Sequence, residues 1–298
     1  MKVACIGEAM VELAMDATGD TARIGFAGDT LNTAIYLKRA APALQVAYIT
    51  RLGRDAFSAR MLGFIAAENL GTADIEISET RHAGLYAITT DATGERSFTY
   101  WRENSAAREM FQRGKSASFA ALEKYDLLYL SAITLAILPG QVLSDLCNFL
   151  AAYRANGGQV AFDSNYRPAL WPDRATAMRE IARMWELCDI ALPSVDDEMA
   201  AFGDATEADV LARLKPCGIT QGALKRGPMG PLSLGEPVQA SYAAAKNVID
   251  TTAAGDSFNG GYLGALLSGA SQAEALQTGH SLAAKVVGYK GAIVPQVT

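Results

Sequence analysis

Val248-Ile249-Asp250-Thr251-Thr252-Ala253-Ala254-Gly255-Asp256-Ser257-Phe258-Asn259-Gly260-Gly261 reads as the end of an apolar strand, a run of small residues and then the start of a helix. Small side chains at a helix start let backbone N–H groups approach an anion, and the positive end of the helix favours negative charge there. Asp256 places a carboxylate inside that positive end. If it projects into a cleft, it has the chemistry to take a proton from a hydroxyl attacking a phosphoryl group. A first-turn or N-capping Asp with no catalytic part is equally ordinary, and this stretch alone leaves both readings open. The chain has no G-x-x-x-x-G-K-[ST] and no G-x-G-x-x-G after its first apolar run, so neither a P-loop nor a dinucleotide-binding turn is supported.

Upstream, short apolar runs alternate with longer amphipathic stretches. The pattern predicts strands over residues 3–6, 45–50, 127–130, 159–162 and 190–192. It predicts helices over 31–41, 56–70, 139–154, 175–187 and 207–214. This β-α-β-α rhythm implies a three-layer α/β/α domain built on a mostly parallel sheet. Two segments, at about 8–27 and 75–104, break the rhythm with strands that have no helix between them. They predict a small separate sheet, a lid over a site on the main sheet, with a hairpin turn at Asp91 to Gly94. The expected organisation is one domain, residues 1–298, carrying this inserted lid.

Of the 298 residues, 50% are hydrophobic and 19% charged, enough apolar material for a large core and too much for a disordered chain. With 26 basic and 32 acidic side chains the net charge is −6, which argues against nucleic acid as a partner. Only His82 and His280 are available for histidine chemistry. Cys5, Cys147, Cys188 and Cys217 form no C-x-x-C pair and read as reduced, mostly buried thiols of a cytoplasmic protein. The uncharged stretches 127–144 and 257–273 carry too many polar and glycine residues to be read as membrane spans.

Asp250 to Asp256 resembles the D-T-T-G-A-G-D signature of the ribokinase-like (PfkB) carbohydrate kinases, with Ala253 where the first glycine is usual. Alanine tolerates φ > 0 less well than glycine, so the backbone there must use negative φ or accept strain. The substitution is similar to that of the family's keto-deoxy sugar-acid kinases. Gly28-Asp29-Thr30-Leu31-Asn32 resembles the family's N-terminal glycine motif, and Asp163-Ser164-Asn165-Tyr166-Arg167-Pro168 its D-x-N-x-R-P segment. Ser194-Val195-Asp196-Asp197-Glu198 stands where the family has N-x-x-E, and Lys225 to Gly230 resembles its nucleotide-phosphate turn.

The resemblance implies an ATP-dependent kinase with Asp256 as general base and Ala253, Ala254 and Gly255 forming the anion hole. It implies nucleotide contacts from Ser194, Lys225, Gly227, Gly230, Ala254 and Gly255. Mg²⁺ would be assisted through water by Asp197 or Glu198, and a monovalent cation would sit near Asp250 and Thr252. Tyr100-Trp101-Arg102-Glu103-Asn104-Ser105-Ala106-Ala107 resembles the Y-W-R-x-x-S-A-A segment of the family's sugar-acid kinases, and an arginine suits a planar carboxylate where a neutral sugar would give it no partner. The implied substrate contacts are Gly28, Asp29, Asn32, Tyr86, Tyr100, Arg102, Ile133, Asn165, Arg167 and Asp256. Arg102, Arg167 and Lys225 would supply local positive charge. The implied reaction phosphorylates the terminal hydroxyl of 2-keto-3-deoxygluconate. A kinase of neutral sugars and a non-catalytic sugar-acid sensor are the alternatives. An exposed lid edge would suit a homo-oligomer.

Overall fold

The computed structural model describes residues 1–16, 18–90, 96–113 and 116–296. At its centre is a five-stranded sheet in the order Ile190–Ala191, Gln159–Asp163, Leu127–Ser131, Lys2–Ile6, Gln45–Ile49, with every neighbouring pair parallel. Successive side chains of a strand point to opposite faces, and here each face finds its own core. Ala4, Ile6, Leu128, Leu130, Val160 and Phe162 enter one apolar cluster. Val3, Cys5, Leu127, Tyr129, Ala161 and Ile190 enter the other.

Helices cover both faces, as the β-α rhythm predicts. On the first side, Gly140–Ala155 buries Leu143, Leu146, Cys147 and Leu150, and Arg174–Glu186 buries Ala177, Ile181, Met184 and Trp185. Both stripes have the spacing of one helical face. On the second side lie Asp29–Ala40, Ala254–Leu267 and Gln272–Val286. Asp29–Ala40 and Ala254–Leu267 approach closely because of Gly260, where a Cβ would stand 2.6 Å from Tyr36 Cβ. That approach brings Asn32 beside Asp256.

Strand Lys2–Ile6 is flanked on one side by Gln45–Ile49 and on the other by Leu127–Ser131. The chain therefore reverses its direction of travel across the sheet at this strand, and ligands of such sheets bind beyond the carboxyl ends at that point.

The two segments without intervening helices supply one four-stranded sheet, ordered Ala22–Ala27, Met10–Met15, Gly84–Thr90, Arg96–Trp101. Its outer pairs are antiparallel and its middle pair is parallel. The turn predicted at Asp91 to Gly94 lies outside the described residues. One expectation fails. Val248 and Ile249 form no strand and are 65% and 57% exposed. Their stretch is held instead by Val287, whose carbonyl accepts the N–H groups of Ile249 and Asp250. Among the described residues no helix is long and apolar enough to cross a membrane, and the four cysteines are free.

Candidate active site

Helix Ala254–Leu267 begins without a side-chain cap, which leaves its first-turn amides without a side-chain acceptor. The residue before it, Ala253, has φ 60° and ψ 18°. This is the left-handed region, which costs a residue with a Cβ about 1–2 kcal/mol. The alanine thus takes the conformation that a glycine would take freely. Asp256 does not cap the helix. Its Oδ2 accepts from Asn32 Nδ2 at 2.8 Å, and its carboxyl is pushed up to about 8. Loss of hydration is the main cause, and the negative charges of Asp29 and Asp163 add to it against the opposing pull of Asn32 and Lys225.

The acidic neighbours are themselves held by polar groups. Asp29 Oδ2 accepts from Ser131 Oγ at 2.5 Å and from Asn165 Nδ2 at 2.9 Å. Asp163, at the carboxyl end of its strand, accepts from Lys225 Nζ and Asn259 Nδ2, both at 2.6 Å. Lys225 bridges in parallel to Ser194, so the two expected nucleotide contacts lie side by side. Ser194 caps helix Val195–Phe202 and donates to Asp197 at 2.7 Å. Asp197 also accepts from Arg167 at 3.0 Å. Glu198 is fully buried and paired with Arg213 at 2.8 Å. Gly227 and Gly230 have φ of 55° and 78°. At Gly230 a Cβ would also strike the Tyr242 ring.

On the lid side, the Tyr86 hydroxyl donates to Glu12 at 2.5 Å, and its ring lies 5.7 Å from that of Tyr100. Burial, with the Glu12 charge beside it, pushes the Tyr86 hydroxyl far up. Tyr86, Ile88 and Met10 pack with Ala292 and Ala253, so the lid touches the helix start directly. Arg102, at the end of the last lid strand, is buried and donates through Nε and Nη2 to Glu8 Oε2. Gly28 lies against the Glu8 backbone, where a Cβ would come within 2.1 Å of the Glu8 carbonyl oxygen. Ile133 is half-buried in the helix Ala132–Ile137 that follows strand Leu127–Ser131.

The three residues expected to supply local positive charge all have acidic partners in the structure. Arg102, Arg167 and Lys225 are each paired with a carboxylate, those of Glu8, Asp197 and Asp163. The residues missed by sequence reading are Glu8, the partner of Arg102, the lid's Glu12 and Arg96, and Asn259 of the helix Ala254–Leu267, which holds Asp163. Glu12 did carry a signal, as the lone charge in the apolar strand Met10–Met15. Arg96 forms an ion pair with Asp250 at 2.5 Å and donates to Thr252 at 3.0 Å. Burial opposes ionisation of Asp250, but hydrogen bonds from Thr252 and Gly291, with the Arg96 charge, hold its carboxyl below the usual range. Among the described residues no cluster of three or more His, Cys, Asp or Glu is built to hold a metal ion.

An uncapped helix start thus lies beside a buried carboxylate, at the reversal point of a parallel sheet and under a small β-sheet, an arrangement with the chemistry to bind a phosphate beside a base. Residues 1–298 match the pfkB family carbohydrate kinase model, and the chain belongs to that family. It is 43% identical over 303 residues to the 2-dehydro-3-deoxygluconokinase of Escherichia coli (strain K12), covering 99% of this chain and 97% of that protein. It is 41% identical over 301 residues to the enzyme of the same name from Dickeya dadantii, covering 98% and 96%. Its fold matches a putative ribokinase II from E. coli solved in complex with ATP and Mg²⁺, with a TM-score of 0.84 at 21% identity over 98% of this chain and 94% of that one.

Proposed function

We propose that this protein is an ATP-dependent 2-dehydro-3-deoxygluconokinase, a sugar-acid kinase that phosphorylates the terminal hydroxyl of 2-keto-3-deoxygluconate. The observation that carries this reading is the nearly full-length similarity to two kinases of that name, and the geometry agrees with it. In the reaction, Asp256 takes the proton of the 6-hydroxyl and the oxygen bonds to the γ-phosphorus. The bond to the β–γ bridging oxygen breaks, and ADP leaves. Asn32 aims the base. The amides from Ala253 to Asp256 hold the transferred charge in place. Asp29 and Asn165 hold sugar hydroxyls, and Lys225 exchanges Asp163 for a phosphate oxygen. Mg²⁺, when bound, neutralises charge between the phosphates. Asp197, partly exposed beside Ser194 and paired with the exposed Arg167, is fitted to orient its water, whereas Glu198 is fully buried against Arg213.

Arg102 reads the substrate carboxylate with the part of its guanidinium that Glu8 does not engage. The pairing with Glu8 also favours a second reading, since a guanidinium with a resident acid is not left unpaired by a neutral sugar. A coupled kinase assay of 2-keto-3-deoxygluconate against fructose, ribose and gluconate decides. Faster turnover of fructose or ribose overturns the sugar-acid reading, and no ATP turnover with any of them overturns the kinase. The exposed Phe98, Tyr100 and Trp101 on the lid's edge strand fit pairing with a second copy, and the free thiols fit a reducing cytoplasm.

A further inference from the structure

Asp250 and Thr252 are where the family resemblance implies a monovalent cation, and the structure fills that place differently. The Asp250 carboxylate is 7% exposed and takes three hydrogen bonds and one ion pair. Oδ1 accepts from the N–H of Thr252 at 3.0 Å and from its hydroxyl at 2.6 Å. Oδ2 accepts from Gly291 N–H at 2.8 Å and is paired with the Arg96 guanidinium, Nη1 standing 2.5 Å away. Only the last of these partners carries charge. The same Nη1 stands 3.0 Å from Thr252 Oγ1. It therefore occupies the space between the two side-chain oxygens that a bare cation would have to share.

The position of this pair matters for the reaction. The Asp250–Thr252 turn ends one residue before Ala253, whose left-handed backbone aims the first amides of helix Ala254–Leu267. Arg96 belongs to the lid's edge strand, Arg96–Trp101. Beside it, Tyr86 and Ile88 of the lid pack on Ala253 and Ala292. An apolar contact and an ion pair thus join the lid to the turn that shapes the anion hole. A buried carboxylate deprived of its counter-ion must recruit another cation or a proton.

We propose that Arg96 is a positioning residue that serves as the built-in cation of the Asp250 turn, so that closing the lid completes the anion hole without a monovalent metal ion. This rests on the kinase reading. The wild-type turnover of 2-keto-3-deoxygluconate tests that reading separately in the same assay.

The experiment compares wild type, Arg96→Met and Arg96→Lys in potassium, sodium and tetramethylammonium salts at equal ionic strength. Wild-type kcat is expected to be the same in all three. In tetramethylammonium, Arg96→Met is expected to lose roughly 10- to 100-fold in kcat, the scale of a misaimed reacting group, with little change in KM for the sugar acid. Potassium or sodium is expected to restore part of that loss, and Arg96→Lys to keep most of the activity. Melting of the ligand-free proteins gives a second readout: metal salts should raise the Tm of Arg96→Met and leave wild type unmoved. A wild type that responds to potassium overturns the proposal. So does an Arg96→Met enzyme with wild-type kcat in tetramethylammonium, or one whose loss neither metal salts nor Arg96→Lys repairs.

Discussion

Arg102 and Glu8 form a buried ion pair at two of the points where the lid joins the main domain. Glu8 follows the first strand of the central sheet, and Arg102 follows the last strand of the lid. Removing one member of such a pair strands the other charge, at a cost of about 3–5 kcal/mol. Arg102→Met is therefore expected to lower the Tm and to weaken kcat/KM for the sugar acid by about 2–4 kcal/mol, the scale of a lost charge-assisted contact. The double variant Glu8→Gln/Arg102→Met separates the two effects. Its Tm should recover while its preference for the acid does not. Recovery of both, measured as kcat/KM on acid and neutral sugars, would remove Arg102 from carboxylate recognition.

Asp256→Asn should lower kcat by about 10²–10⁴, the usual worth of a general base. The same change should stabilise the ligand-free protein at alkaline pH. The folded-state carboxyl is raised to about 8, well above its unfolded value, so the folded state holds the proton that the unfolded state releases. Wild-type stability from this group falls as pH rises from about 4 through 8. The Tm of Asp256→Asn should exceed that of wild type at pH 9 and approach it at pH 5. Differential scanning calorimetry across that range checks the slope.

The pH profile of kcat/KM reports the free enzyme. Its acidic limb should reflect the raised Asp256 carboxyl, with activity rising as pH approaches about 8. Asp29 is one of the charges raising it, so Asp29→Asn should move that limb to lower pH even as it weakens sugar binding. A limb that stays put while KM rises would show that Asp29 acts on substrate alone.

Ala253 offers a test of backbone strain. Ala253→Gly should relieve left-handed strain of about 1–2 kcal/mol and give back about 0.5–1 kcal/mol through the freer unfolded chain. Tm and activity should therefore change little. Ala253→Val should be far worse, because a β-branched residue is poorly tolerated at positive φ. It should lower kcat more than the affinity for sugar, read from steady-state kinetics.

Much of this architecture was legible because its signals are local. Gln159–Asp163 is a short apolar run buried on both faces, and Arg174–Glu186 has apolar residues at helical spacing. The lid strands showed themselves by the absence of helices between them. The segment around Asp256 was legible from its small residues and its resemblance to a known signature. Charge pairing was not legible. Nothing near Arg102 in sequence announces Glu8, and nothing near Arg96 announces Asp250, because tertiary folding alone brings these residues together. Val248 and Ile249 misled for the opposite reason: an apolar pair carries no label that separates a strand from an exposed turn.

The lid's middle pair of strands is parallel, Met10–Met15 beside Gly84–Thr90. Each outer hairpin can form from its own segment, but a parallel pair needs a crossover. Here the crossover contains Asp29–Ala40, Gln45–Ile49 and Ala56–Ala67, all of which pack into the main domain. The two halves of the lid therefore meet only after the body has brought them together, and the lid assembles late, on a finished platform. Long-range pairing of this kind slows folding, and units added last open first. The lid should thus be the part of the native enzyme whose amides exchange earliest, while Val3 to Ile6 and Leu127 to Leu130 remain protected until the whole chain unfolds.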